Sequence, residues 1–270
     1  MPDVLTEKLP SGVMIVTLNR PDALNTLGGT LLADFGAAMH EAEQDRAVRA
    51  VLITGAGRAF CAGADLSAPR GEARSQNGAA PAPLAFSARV TSMQDLHGHL
   101  AGAAFRCDKP TVALVNGAAA GAGFGVALSC DFRIASEQAL FVSAFARIGL
   151  SGDNGITWGL SRLVGRSAAL EILMLSPRLT AAQALELGLV RSVVPPSELL
   201  SAGLEFGERL AAGPTQAFAI MKRNLEFADT ASYQQSLDRE AFSIAVNGVT
   251  GENADAIQAF LDKREPDFRH

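Results

Sequence analysis

The chain has 270 residues and a mass of 28.1 kDa, enough to bury one α/β core without disulfide or metal staples. Hydrophobic residues make up 48% and charged residues 19%, which excludes a largely disordered chain, and no long charge-free apolar run suits a membrane span. A formal net charge of −5 lacks the basic stripe of a nucleic-acid binder, so an anionic ligand has to be held by local groups.

In chain order, Val4 to Leu9, the turn Pro10-Ser11-Gly12 and Val13 to Leu18 read as a hairpin, because β-rich runs flank Pro and Gly punctuation. With no basic region ahead of an apolar one, this start reads as free of a targeting signal. Leu31, Phe35, Ala38, Met39 and Ala42 fall on one face of a helix. The apolar runs Ala50 to Thr54, Lys109 to Val115 and Phe132 to Ala135 read as buried strands separated by helical stretches, the alternation of a parallel sheet. Residues 66–92 are rich in Ala, Pro, Gly, Ser and Arg and read as a mobile surface segment able to close over a ligand, followed by a helix. From Pro195 onward the pattern is helical, with one apolar stripe through Leu199, Leu200, Leu204, Phe206 and Leu210 and another through Phe218, Met221, Leu225 and Phe227. This divides the chain into a core over 1–195 and a helical region over 196–270 that is either a packed extension or an oligomer interface. No internal sequence repeat is visible.

Cys61, Cys107 and Cys130 lack the paired spacing of a zinc or redox motif and read as buried reduced thiols, which suits a cytoplasmic protein. The four histidines have no acidic partners at metal-ligand spacing, so no metal is expected.

Two glycine-rich turns follow predicted strands: Gly55 to Asp65, and Asn116 to Gly125. Glycines there permit tight turns and close packing, and they also let a ligand approach the backbone. Where such a turn opens a helix, its unpaired N–H groups and positive dipole end suit an anion or a developing oxyanion. Neither turn completes a dinucleotide or P-loop fingerprint.

These turns, with Leu18-Asn19-Arg20-Pro21-Asp22-Ala23-Leu24-Asn25, Phe60 to Leu66, Cys130 to Ala135, Arg162 to Gly165, Ala184 to Val190 and Phe260 to Phe268, resemble in order the crotonase (enoyl-CoA hydratase/isomerase) family over nearly the whole chain. The resemblance implies an α/β fold, a spiral of ββα units with C-terminal helices that trimerise, giving a homotrimer or homohexamer. It implies an acyl-CoA thioester substrate, with coenzyme A arriving as part of that substrate and no permanently bound cofactor. The thioester oxygen would be held by the backbone N–H groups of Ala64 and Ala122. Ala62, Asp65 and Leu66 would contact the coenzyme, joined by Phe260 and Lys263 from a neighbouring subunit. Phe86, Phe124, Gly121, Gly125 and Phe145 would line the acyl pocket. Asp65 also reads as ordering its own turn, and Asp131 with Arg133 as a structural pair.

Hydratases of the family activate water with two glutamates; in this register those positions are Gly125 and Phe145, which transfer no proton. Asp153 stands where isomerase-type members, including phenylacetyl-CoA-type isomerases, place an aspartate base, and a single base suffices to move a double bond. A competing reading makes Asp153 the N-cap of a following helix. Three other activities stay open: weak hydration, the aspartate-nucleophile chemistry of dehalogenase-type members, and acyl-CoA binding without catalysis. Dehalogenase-type members also use a histidine and a tryptophan. Here Phe145 replaces the tryptophan and His97 and His99 straddle the histidine position, so both histidines read as a polar helix face.

Overall fold

The computed structural model describes residues 2–65 and 86–268. β1 (Val4–Lys8) and β2 (Val13–Leu18) form the expected antiparallel hairpin, and α1 (Leu31–Gln44) buries the five residues that its periodicity selects. There follow β3 (Ala50–Gly55), β4 (Ala59–Cys61), α2 (Phe86–His99) and α3 (Ala101–Arg106). Next come β5 (Thr111–Val115), β6 (Ala118–Ala120), α4 (Ala122–Ser129), β7 (Phe132–Ser136) and β8 (Leu140–Val142). A 3-10 turn over Phe145–Ile148 leads to α5 (Ile156–Leu163), α6 (Gly165–Leu175), β9 (Leu179–Thr180), α7 (Ala181–Glu186) and β10 (Ser192–Val194). The chain closes with α8 (Leu199–Ala211), α9 (Thr215–Ala228), α10 (Tyr233–Gly248) and α11 (Gly251–Leu261).

The strands form two sheets, β1-β2-β3-β5-β7-β10 and β4-β6-β8-β9, and β2, β3, β5, β7 and β10 run parallel. Each of β3, β5 and β7 enters the larger sheet and its successor, β4, β6 or β8, enters the smaller one, which is the ββα spiral that the resemblance implies. The inner strands β2, β3 and β5 are almost wholly apolar and buried because both faces are covered, whereas the edge strand β1 is largely exposed. Val51 and Ile53 join the main core while Ala50 and Leu52, alternating with them, face α8.

The C-terminal stripes differ from expectation. α8 buries Leu199, Gly203, Gly207 and Ala211, and Leu200 is exposed. The sheet side requires the glycines: a Cβ on Gly203 would lie 2.5 Å from a Leu114 methyl, and one on Gly207 3.0 Å from a Leu52 methyl. On α9, Met221 and Leu225 point out of the chain. The Asp131–Arg133 pair is replaced by two separate structural roles. Asp131 accepts from Lys222 at 2.7 Å and from Thr111, while Arg133 donates to the carbonyls of Leu189 and Cys130, both at 2.6 Å. Arg133 sits at the C-terminus of α4, where orphan carbonyls and the negative dipole end favour a cation.

Candidate active site

The first glycine-rich turn is held by two asparagines whose role sequence reasoning did not assign. Asn25 is fully buried; its Nδ2 donates to the carbonyls of Ala56 at 3.0 Å and Ala59 at 2.8 Å, and its Oδ1 accepts from Arg20 N–H at 2.7 Å. Asn116, from the second turn, donates to Gly57 O at 2.9 Å and Ala59 O at 3.2 Å. A buried amide at a strand end has to find backbone partners, and these two tie the turns together. Asn116 opens the second turn in the sequence, while Asn25 lies far ahead of the first turn and gave no sign of the partners it finds.

The chain then passes through Gly63, whose carbonyl accepts from Leu27 N–H at 2.8 Å. Because the peptide is planar and trans, the N–H of Ala64 points the opposite way, off that bridge. Gly63 has φ +84°, and a Cβ there would lie 2.7 Å from Ala120 O and 3.4 Å from Ala122 N, so only glycine brings this peptide so close to the second turn. Ala122 opens α4, and its N–H has no carbonyl four residues back within the helix. Gly121, the N-cap, adopts φ 53° and ψ −121°, and its carbonyl accepts from Gly125 N–H at 3.1 Å. Gly123 presses the first turn of α4 onto β4: a Cβ there would lie 2.1 Å from Cys61 O. The Gly63–Ala64 peptide therefore lies against the start of α4, with the Ala122 N–H at the positive end of that helix.

Phe145 closes one side. It is buried, and its Cζ lies 3.7 Å from where a Cβ on Gly121 would stand. Gly125, one turn into α4, meets the loop ahead of α5: a Cβ there would lie 2.5 Å from Asn154 O and 2.8 Å from Asn154 Cβ. That contact seats Asp153 and Asn154 beside the helix that carries Ala122.

Asp153 is not the N-cap of α5. That position is Gly155, and the Asp153 carboxylate instead accepts from Asn154 N–H through Oδ1 at 2.7 Å. The same Oδ1 faces Nε2 of His97, in the last turn of α2. His97, read as part of a polar helix face, meets a carboxylate that no sequence period links to it, because the two come together only through the fold. His99 does stay on its own helix, with Nδ1 2.8 Å from Asp95 O. A cavity of about 530 Å³ opens beside the pair, lined in part by His97, Ala101, Phe105, Leu128, Asn154 and Trp158. Trp158 is not core: it is 41% exposed, meets Phe105 edge-on at 5.0 Å, and carries the Arg162 guanidinium 4.0 Å over its ring.

Two candidates for the acyl pocket fall elsewhere. Phe86, at the start of α2, is 84% exposed, and Phe124 is fully buried in the core against Phe141. Ala62 and Asp65 flank the Gly63–Ala64 peptide, with Ala62 N–H donating to Leu24 O at 3.0 Å. Leu66 and the segment expected to close over a ligand lie outside the described residues, apart from the α2 helix that follows them. Phe260 and Lys263 are exposed at the end of α11. Cys61 runs directly into this turn, but burial pushes its thiol up to about 11, so it stays a protonated thiol at neutral pH rather than a nucleophile.

The site thus has the Gly63–Ala64 peptide against the N-terminus of α4 and Asp153 in the loop packed on Gly125, with no glutamate at position 125 or 145. Residues 8–270 match the family model described as enoyl-CoA hydratase/isomerase. The chain is 35% identical over 269 residues to the 1,2-epoxyphenylacetyl-CoA isomerase of Escherichia coli, covering 99% of both chains, and 33% identical to the 2,3-dehydroadipyl-CoA hydratase of the same organism, covering 95% of both. Its fold superposes on the crystal structure of an enoyl-CoA hydratase from Bacillus anthracis with a TM-score of 0.88 at 27% identity, covering 99% of each. Near-complete coverage in sequence and in structure, together with the two converging turns, makes this chain an enzyme of the enoyl-CoA hydratase/isomerase, or crotonase, family.

Proposed function

We propose that the enzyme shifts a double bond in the acyl chain of an enoyl-CoA thioester, with Ala64 and Ala122 N–H groups holding the thioester oxygen and Asp153 carrying the proton. The observation behind this reading is that the loop carrying Asp153 packs through Asn154 against Gly125 in the first turn of α4, while positions 125 and 145 hold glycine and phenylalanine. Asp153 removes a proton from C2 of a 3-enoyl thioester, the C–H electron pair forms the new C=C bond, and the thioester π pair moves onto oxygen. Protonation of the resulting dienolate at C4 by the same carboxyl group restores the thioester and leaves a 2-enoyl isomer. Water is neither consumed nor released.

Charge develops on the oxygen only as the proton leaves, so donors aimed at it favour the transition state over the bound substrate. Removing one such donor costs about 3 kcal/mol in other enzymes. Phe145, packed against the Gly121 end of α4, keeps water from the enolate. The likeness to an isomerase over 99% of the chain supports the reaction type.

The test is incubation with 3-hexenoyl-CoA and 2-hexenoyl-CoA, comparing wild type with Asp153→Asn. The expected result is interconversion that falls by about 10²-fold or more in the variant. Undiminished turnover by Asp153→Asn removes the assigned base. Hydration of crotonyl-CoA at about 10 per second or faster favours the hydratase reading instead, and acyl-CoA binding without turnover favours a non-catalytic relative.

We further infer a homotrimer or homohexamer in which Phe260 and Lys263 reach a neighbouring subunit's coenzyme. Leu225, Phe242, Ile244 and Phe260 are each more than 70% exposed on α9 to α11, an apolar face suited to burial against another copy. Free, buried Cys61, Cys107 and Cys130 support a reducing, cytoplasmic setting, and no helix among the described residues is long and apolar enough to cross a membrane.

A further inference from the structure

We propose that His97 is the positioning residue for Asp153, and that it makes turnover depend on its own charge. The proposal rests on Asp153 as the proton carrier and deepens that reading.

A carboxylate that shuttles a proton needs one oxygen held and the other left to act. Oδ1 of Asp153 accepts from the Asn154 N–H at 2.7 Å and lies against His97 Nε2, a buried ring nitrogen that no hydrogen bond satisfies, and among the described residues Oδ2 has no hydrogen-bond partner. The two contacts come from different elements: Asn154 N–H from the same loop, and His97 from α2, 56 positions earlier in the chain. Asn154 N–H alone fixes the carboxylate to its own backbone, whereas His97 fixes it relative to α2 and the cavity wall. Asp153 is 21% exposed and His97 41% exposed, yet Nε2 itself is buried, so solvent reaches the rest of the ring and not the nitrogen that faces the carboxylate.

The state of the ring decides what the carboxylate can do. A neutral imidazole with its proton on Nε2 donates one hydrogen bond and leaves the carboxylate free to accept a proton. An imidazolium in the same place holds the carboxylate in its charged form, which opposes removal of a proton from the acyl chain. Arg106 on α3 and Glu226 and Asp229 at the end of α9 line the same cavity, Asp229 being paired with Arg162, while Asp95 and His99 share α2 with His97 and His99 packs against Gly36 of α1. None of these touches Asp153 Oδ1, which leaves His97 as the ionisable side chain in contact with the base among the described residues.

The experiment measures kcat and KM for isomerisation of 3-hexenoyl-CoA, from about pH 5 to 8 where a histidine changes charge, in wild type, His97→Gln, His97→Phe and Asp153→Asn. Gln keeps an N–H donor and cannot charge; Phe keeps the bulk and has neither property. The expected result for His97→Gln is kcat within about threefold of wild type at the upper end of the range, with the acid-side fall that wild type displays reduced or absent. His97→Phe is expected to lose about 10- to 100-fold in kcat at every pH, with KM changed by less than about threefold.

A His97→Gln profile superimposable on that of wild type overturns the proposal, even where His97→Phe fails to fold. So does a His97→Phe enzyme with wild-type kcat, or one changed only in KM. If these occur while Asp153→Asn is inactive, the positioning role alone is wrong. Wild-type activity in Asp153→Asn removes the underlying reading and the proposal with it.

Discussion

At Gly125 a methyl group has nowhere to go, and this decides how the missing glutamate is understood. The would-be Cβ lies 2.5 Å from the carbonyl oxygen of Asn154, a backbone atom, so the loop carrying Asp153 occupies the space that a side chain at 125 needs. The expected outcome for Gly125→Glu is therefore loss rather than gain: no hydration of crotonyl-CoA above wild type, and a fold weakened by about 1–3 kcal/mol from overpacking. Urea unfolding together with a hydration assay checks it, and a stable variant with new hydratase activity contradicts the account. The glycine at 125 and the aspartate at 153 were both legible in the sequence, as was each glycine turn. What the sequence withheld is that Gly125 packs against Asn154, the residue after Asp153, and that His97 faces the Asp153 carboxylate. Both depend on packing between elements distant along the chain. Phe86 misled for a related reason: an apolar residue beside an irregular segment signals burial only once a partner surface is known.

Elements were legible in proportion to their length. The 14 residues of α1 and the apolar runs of β3, β5 and β7 carry enough of a period or a block to announce themselves. β4, β6, β8 and β9, at two or three residues each, are too short for alternation to register, so the smaller sheet came only through the family resemblance. Yet that sheet sets the site, because β4 delivers Gly63 and Ala64 and lies under the first turn of α4. The joint between β4 and α4 is Gly123, whose added Cβ would meet Cys61 O at 2.1 Å. Gly123→Ala is predicted to push the helix off the strand, lowering stability by about 1–3 kcal/mol and kcat by about 10-fold or more as the two donors separate. Steady-state kinetics beside thermal melting reads both effects. Unaltered kcat in a folded variant rules out this joint as the device that sets donor spacing.

For the molecule as a whole, the three thiols make the fold sensitive to alkali. Burial pushes Cys61 up to about 11, and Cys107 and Cys130 up to about 12, from an ordinary value of 9.0. Between pH 9 and these values the unfolded chain releases thiol protons that the folded chain retains. Folded stability is thus fully present below pH 9 and is lost as pH rises toward the folded values. Each thiol contributes a slope of about 1.4 kcal/mol per pH unit in that window. Urea midpoints measured from pH 8 to pH 10.5 are expected to fall, less steeply in Cys130→Ala than in wild type; equal slopes refute the assignment.

The same scale gives a consequence to Lys222. From α9 its ammonium reaches Cys107 O at 2.6 Å, Lys109 O at 3.1 Å and Asp131 at 2.7 Å, at the starting edge of β5 and β7. Arg49 likewise reaches the carbonyls of Ala211, the last residue of α8, and Gly213 just after it. A boundary drawn near residue 195 therefore separates two patterns of sequence but not two modules. A fragment ending there would bare the Leu52, Val112, Leu114 and Ile134 face of the sheet and strand a carboxylate without its cation. The helices behave as the back wall of the catalytic core, so a swap of C-terminal regions between relatives has to carry Lys222 and the α8 glycines with it to leave a folded enzyme.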